Sequence, residues 1–405
     1  MFIKKKSKKL KLTNFVKTIG LDVDSGLFIT DGKLVKKEHF QESPTDLTID
    51  MSGCIVSPGF IDPQVNGFNK CNFWDFPCPS FAEIDNLRLE LAKCGVVAFC
   101  PTIITAQHEK IIKSIDYLSS YIKQASNDVG ARILGIHIEG IFITKYGIHE
   151  SKYAINDLTV RNIEPFVKEN VVLFTLAPEL DKTGEAISFL QKNNILASIG
   201  HSNATYKEGA KAIQEHGLRT VTHMFNALKG ITGFSHRESE SNSSSNIQIL
   251  KSKLDNEKKI DPLNDGIMLA LLKSKDVLCM VISDGIHVSK EVVGLLRQVK
   301  DAGHFALASD LISSDFYNLA RLKNSLGGGQ TSLDKCIMNL LNWNVSNLED
   351  SLTCASRPIA KQLKVARQLG LGEISFGKEA NLVLWDTKTN SVKGTIIGQN
   401  VFLNY

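Results

Sequence analysis

Apolar runs that alternate with helix-period segments through the middle of the chain, and strand-like segments at both of its ends, predict an α/β fold. The expected architecture is a TIM-like (β/α)8 barrel with a small β-sandwich domain built from both chain termini. Continuous apolar strands separated by helices imply a parallel sheet covered on both faces, and eight such units are what a closed barrel of this kind needs. A length of 405 residues accommodates one large barrel and an accessory domain. The predicted division is 1–57 for the N-terminal part of the small domain, 58–370 for the barrel and 371–405 for the C-terminal part of the small domain.

Taken in order, residues 12–57 read as short strands with turns, and Asp31-Gly32 between apolar stretches has the composition of a two-residue hairpin turn. Eight apolar runs follow, at 56–62, 96–101, 133–139, 171–177, 195–201, 220–223, 277–284 and 304–310. Amphipathic segments at 82–94, 110–125, 181–193 and 206–216 lie between them and predict helices. Residues 239–261 are rich in Ser, Asn and Lys and predict a polar surface insertion with a short helix. The segments 380–386 and 391–397 again read as strands.

The net charge of +4 is local in origin. Lys4, Lys5, Lys6, Lys8, Lys9 and Lys11 supply six positive charges, so the remainder carries 4 − 6 = −2. A short lysine run is expected to be a solvated terminus, and without aromatic platforms it gives no case for nucleic acid as a partner. No apolar stretch approaches the ~18 residues of a membrane span, and the N-terminal segment lacks the apolar core of a secretory leader. Eight cysteines without a CxxC pair read as reduced thiols, the usage of a cytoplasmic enzyme.

Three of the apolar runs end on metal-capable side chains: Glu139, His201 and His223. A fourth ends on Asp310. One histidine at a strand end is ordinarily a hydrogen-bonded structural residue. Three ligand-type residues at three strand ends, with an acid at a fourth, favour a metal centre, because in a barrel of this class the site is built where the strands end. A carboxylate and two imidazoles suffice to hold one divalent ion with an open position. Such an ion lowers the pKa of a bound water to about 7, and Asp310 is placed to take a proton and return it. A non-catalytic scaffold is the alternative, and chains of that kind typically lose the ligands.

Several motifs then carry a family resemblance. Pro58-Gly-Phe-Ile-Asp62-Pro-Gln64-Val-Asn66-Gly67 resembles the first-strand motif of the amidohydrolase superfamily. Gly135-Ile-His137-Ile-Glu139-Gly140-Ile-Phe142 with Gly147-Ile-His149, then Thr175-Leu-Ala-Pro178-Glu179, Gly200-His201-Ser-Asn-Ala-Thr205, His223-Met-Phe-Asn226-Ala227 and Ser283-Asp284-Gly285-Ile-His287 are similar, in order, to segments of the N-acetylglucosamine-6-phosphate deacetylase family. Gly372 to Leu382 resembles the closing β segment of the superfamily.

The resemblance implies one divalent metal ion per subunit, commonly zinc, on Glu139, His201 and His223. It implies Asp310 as general acid–base and His149 as a substrate-contacting histidine that polarises the acetyl carbonyl. Many amidohydrolases hold a second metal on His-x-His in the first strand. Here Gln64 and Asn66 stand there, and amides are poor ligands beside imidazoles, so a mononuclear site with Gln64 and Asn66 facing substrate is expected. Asn226, the Ala227 N–H, Arg237 and His287 match positions used for phosphate. The arginine commonly comes from a neighbouring subunit, which implies a homodimer. The implied reaction is deacetylation of an amino sugar phosphate. The family's Glu-Pro-Gly after the phosphate arginine is replaced by Glu238-Ser239-Glu240, so another N-acetylated amino sugar or a small amide is the alternative substrate. Gly327, Gly328 and Gly329 are expected to let backbone approach the sugar.

Overall fold

The computed structural model describes residues 2–404 apart from 24–25, 42, 44–46, 69–70, 75–77, 233–242 and 323–326, with the side chains of 71, 243–246, 319, 321 and 322 also left aside. Eight parallel strands form the barrel: β1 (Phe60–Val65), β2 (Val96–Ile104), β3 (Ile136–Glu139), β4 (Val171–Leu176), β5 (Leu196–Ile199), β6 (Thr220–Val221), β7 (Leu278–Val281) and β8 (Phe305–Leu307). Each pairs with the next in chain order. A parallel bridge from Val65 to Leu311, just beyond β8, joins the last strand to the first. All nine residues of β2 are buried, as a strand covered on both faces requires. The helices between strands start where local chemistry favours it: capping boxes of Ser80 with Glu83 and of Thr205 with Glu208 open Phe81–Lys93 and Tyr206–Gln214.

Both chain ends contribute to two further sheets. One has six strands in the order Phe2–Lys6, Asn400–Asn404, Ser391–Ile397, Asn381–Asp386, Cys54–Pro58 and Lys17–Thr18. The other orders Lys33–Val35, Leu27–Thr30, Lys9–Thr13 and Leu47–Asp50. Leu10, Leu12, Leu27 and Ile29 from one and Val56, Leu382, Leu384 and Leu403 from the other share one buried core, which makes the pair a sandwich. The hairpin turn is as expected, with Asp31 at φ 47° and Gly32 at φ 77°, the left-handed pair that two-residue hairpins demand.

Three expectations need correction. The run at 56–62 is two strands in two sheets: residues up to Pro58 pair antiparallel with Asn381–Asp386, and β1 starts at Phe60. Gly59 makes the step, since a Cβ there would lie 2.2 Å from Val97 Cγ1. The lysine run is not a free terminus. Phe2–Lys6 is an edge strand paired with Asn400–Asn404, and Lys9–Thr13 turns Leu10 and Leu12 inward while its lysines face out. Exposed Lys4, Lys5 and Lys6 put charge along that edge, where it opposes pairing with foreign strands. The helix expected over 181–193 begins only at Glu185, because the Asp181 carboxylate accepts the N–H groups of Gly184 (2.8 Å) and Ile187 (2.9 Å) ahead of it. The polar insertion holds a 13-residue helix, Ser243–Asp255, docked through Lys253 on fully buried Asp265 at 2.7 Å. Among the described residues no helix is long and apolar enough to cross a membrane, and the seven described cysteines are all free thiols.

Candidate metal centre and active site

β3 ends on Glu139, and the residues two beyond β5 and β6 are His201 and His223. β5 and β6 are neighbours in the barrel and only β4 separates them from β3, so residues remote in sequence meet at one end of it. One ligand atom from each lies within 4.8 Å of the others, and all three side chains are buried. His201 Nε2 and His223 Nε2 stand 3.2 and 2.8 Å from the same oxygen, Glu139 Oε1. His201 (φ 50°), His223 (φ 32°) and Asp310 (φ 52°) take left-handed backbone, a conformation costly for non-glycine residues and concentrated here.

The donor set suits a cation. His201 Nδ1 faces the Lys145 carbonyl at 2.8 Å; a carbonyl only accepts, so Nδ1 carries a hydrogen and Nε2 is the ring nitrogen turned toward Glu139. Burial pushes Glu139 toward neutrality, but hydrogen bonds and charge from His201 and His223 outweigh it and hold the carboxyl well below its ordinary range. Burial acts against charge on His223 too, and its contact with Glu139 reverses the balance and raises it. Two imidazole nitrogens and a carboxylate oxygen converging in this way fit a divalent ion. His223 Nδ1 is buried without a hydrogen-bond partner among the described residues.

Asp310 follows β8. Burial, then the charge of Glu139, push its pKa up to about 7 against the opposing influence of His223, His287 and a hydrogen bond from Asn66. That bond runs from Asn66 Nδ2 to Asp310 Oδ1 at 2.5 Å, so one carboxylate oxygen is held and the other is left for chemistry. His149 packs against His201 with ring centroids 4.2 Å apart and the rings tilted by 54°. Burial, then the charge of His201, keep it neutral, far below its usual value. Its Nδ1 accepts the Thr105 N–H at 3.3 Å and lies 2.8 Å from Thr105 Oγ1, which leaves the hydrogen on Nε2 as a donor. A side chain at Gly140 would collide with this pair, its Cβ falling 2.3 Å from Thr105 Oγ1.

The remaining expected residues fall into three groups. Gln64 is fully buried, and among the described residues neither its side-chain oxygen nor its side-chain nitrogen has a partner; Asn66 Oδ1 and Asn226 Nδ2 are likewise buried and unpaired there. Ala227 sits at φ 48°, and His287 binds Asp284 Oδ2 through Nδ1 at 2.7 Å. Arg237 lies outside the described residues. The glycines at 327–329 do make a close backbone approach, but to the strand itself: Gly329 N–H donates to Asp310 O at 2.7 Å, and a Cβ at Gly329 would lie 2.5 Å from Ser309 O.

Three supports were not foreseen. Thr105 orients His149. Glu179, beyond β4, accepts from Thr144 Oγ1, Ser202 Oγ (2.7 Å) and Asn203 N (2.9 Å), while Thr144 N and Lys145 N both donate to His201 O at 3.0 Å. The loops after β3, β4 and β5 are thus tied around His201. Buried Asp62 receives the Ser309 hydroxyl and its N–H, which fixes the residue before Asp310 to β1. His137 faces the barrel interior. Its Nδ1 donates to Pro63 O (3.2 Å), its Nε2 accepts from Thr175 Oγ1 (2.8 Å), and Thr222 and Ser198 continue the chain at 2.7 Å each.

A family model of the amidohydrolases matches residues 55–402. The chain is 30% identical over 411 aligned positions to the N-acetylglucosamine-6-phosphate deacetylase of Caenorhabditis elegans, covering 93% of this chain and 90% of the relative. It is 27% identical to that of Haemophilus influenzae, over 86% of this chain and 87% of the relative. Among solved structures, the Pasteurella multocida N-acetylglucosamine-6-phosphate deacetylase superposes with a TM-score of 0.77 at 23% identity, over 97% of this chain and 99% of the other, a likeness of fold.

Proposed function

Because the chain belongs to the amidohydrolase family, we propose that it hydrolyses N-acetyl-D-glucosamine 6-phosphate to D-glucosamine 6-phosphate and acetate. The observation that carries the proposal is the convergence of Glu139, His201 and His223 on one point, with Asp310 held beside them by Asn66. A Mycobacterium smegmatis structure similar in fold (TM-score 0.74, 19% identity, 98% of this chain and 99% of the other) is a complex with this sugar phosphate. The metal is one divalent ion per subunit, zinc by the nature of the donor set. The active unit is a homodimer in which Arg237 reaches the partner's substrate, and the compartment is the cytoplasm, in keeping with the free thiols. The domain division at 57/58 and 370/371 belongs to the same reading.

When bound, the ion supplies Lewis-acid polarisation of the acetyl carbonyl and acidifies a water. Asp310 takes the water's proton on the oxygen that Asn66 leaves free. The water oxygen adds to the acetyl carbon, and the neutral His149 donates a hydrogen bond from Nε2–H to the oxygen on which charge develops. Asp310 then returns the proton to nitrogen as the C–N bond breaks, releasing acetate and the amine. Gln64 and Asn66 border the reacting group, while Asn226, the Ala227 N–H, His287 and Arg237 hold the phosphate.

Acetate release by the zinc-loaded protein tests this directly. Asp310→Asn is expected to slow turnover by roughly 10²–10⁴-fold. No acetate from the wild type, or an unchanged rate in the variant, refutes the assignment. Equal rates with and without the 6-phosphate would remove the phosphate half of it.

A further inference from the structure

Asp284 is a buried acid that touches none of the metal-centre residues, and its carboxylate is fully committed. Oδ2 meets His287 Nδ1 at 2.7 Å, and Oδ1 accepts the N–H groups of Ile286 (2.8 Å) and His287 (2.9 Å). The turn that carries both residues is braced from below. Ser283 Oγ donates to Cys336 O at 3.1 Å, Asn339 Nδ2 donates to Ser283 O at 2.8 Å, and Gly285, at φ 76°, packs over Trp343. His287 Nε2 has no hydrogen-bond partner among the described residues, yet its ring is close enough to Asp310 to lower that acid.

We propose that Asp284 is a positioning residue: by holding His287 through Nδ1 it aims Nε2 as a hydrogen-bond donor at the 6-phosphate, and so sets the preference for phosphorylated over unphosphorylated amino sugar. This rests on the deacetylase reading above. A carboxylate at Nδ1 can only accept, so Nδ1 carries a hydrogen whatever the ring's charge. A phosphate dianion at Nε2 then favours a hydrogen on that nitrogen too, so that the ring bridges the carboxylate on one side and the phosphate on the other. An amide in place of the carboxylate keeps the shape and removes the charge that makes this bridge favourable.

The experiment uses the full-length, zinc-loaded protein as wild type, D284N, H287Q and the double variant. Steady-state kinetics are taken with N-acetylglucosamine 6-phosphate and with N-acetylglucosamine, and inorganic phosphate is titrated calorimetrically. D284N is expected to raise KM for the phosphorylated sugar, and weaken inorganic phosphate, by roughly tenfold or more. The kcat/KM ratio between the two sugars should fall by the same factor. In the H287Q background D284N should add less than about twofold, because both changes remove one device. Equal effects on both sugars, multiplicative single effects, or a loss confined to thermal stability would each overturn the proposal. If the wild type releases acetate from neither sugar, the deacetylase reading fails by itself. The phosphate titration then judges Asp284 alone: equal affinity in wild type and D284N, or no binding to either, overturns it.

Discussion

Two polar clusters are buried in the barrel a few residues apart on the same strands, and they differ in how completely they are satisfied. The lower one runs from Ser198 through Thr222, Thr175 and His137 to the Pro63 carbonyl. The carbonyl at its end can only accept, which fixes the direction of every donor behind it, and no link is left open. The upper one holds Glu139, His201, His223 and Asp310, and around it Gln64, Asn66, Asn226 and His223 all keep buried polar atoms without partners among the described residues. Buried polar groups normally find partners, and each exception calls for a reason. The lower cluster spends its hydrogen bonds on holding five strands together. The upper one keeps its valences for groups that arrive from outside.

Breaking the upper cluster should cost function most. Glu139→Gln is expected to abolish stoichiometric zinc and to lower acetate release by roughly a hundredfold or more, measured by metal analysis and turnover. Full zinc occupancy in this variant would show that the cluster is not the metal centre.

The next effect belongs to the lower cluster and depends on pH. Burial holds His137 neutral, with its pKa lowered to about 4, below the ~6.5 of an unfolded chain. Above pH ~6.5 the ring is neutral in both states, and its share of stability is fully present. As pH falls through 6.5 toward 4 the unfolded chain takes up the proton first, so stability is lost, by about 3 kcal/mol across that window. Denaturant melts at pH 7.5 and 4.5 should show a steeper decline in wild type than in His137→Gln; parallel declines would place the titrating group elsewhere.

Thr175→Val removes a hydroxyl that serves two links and leaves the Nε2 acceptor of His137 unpaired. A stability loss of about 2 kcal/mol is expected, with zinc content retained. Zinc lost in step with stability would erase the distinction between the clusters. Gln64→Met should do the reverse of the others. It replaces an amide that is desolvated without partners, so the protein should gain about 1 kcal/mol while turnover falls. A variant no more stable than wild type would mean that Gln64 is already satisfied in solution.

Much of the upper cluster was legible because each of its members terminates an apolar run, and a parallel barrel brings such termini together. What escaped notice depends on contacts between strands. Asn66 was assigned to substrate, and its bond to Asp310 follows only once β1 and β8 are adjacent. Glu179 sat in plain view in a motif, but its part in tying three loops around His201 leaves no periodic trace. The apolar run at 56–62 hid two strands, since both are buried on both faces and only Gly59 marks the change of sheet. The lysines misled by charge: in Lys9–Thr13 the alternation with Leu10 and Leu12 was itself a strand signal. Arg237 lies outside the described residues, and its part in phosphate binding stands on the motif alone.

The pairing of Phe2–Lys6 with Asn400–Asn404 has a consequence for biosynthesis. As the chain leaves the ribosome, Phe2–Lys6 finds its native neighbour only when Asn400–Asn404 has been made, so the six-stranded sheet is completed after the barrel's own strands have all emerged. Throughout that interval the nascent segment stays exposed, and the repulsion among Lys4, Lys5 and Lys6 on neighbouring polysomal copies keeps it from annealing to the wrong molecule.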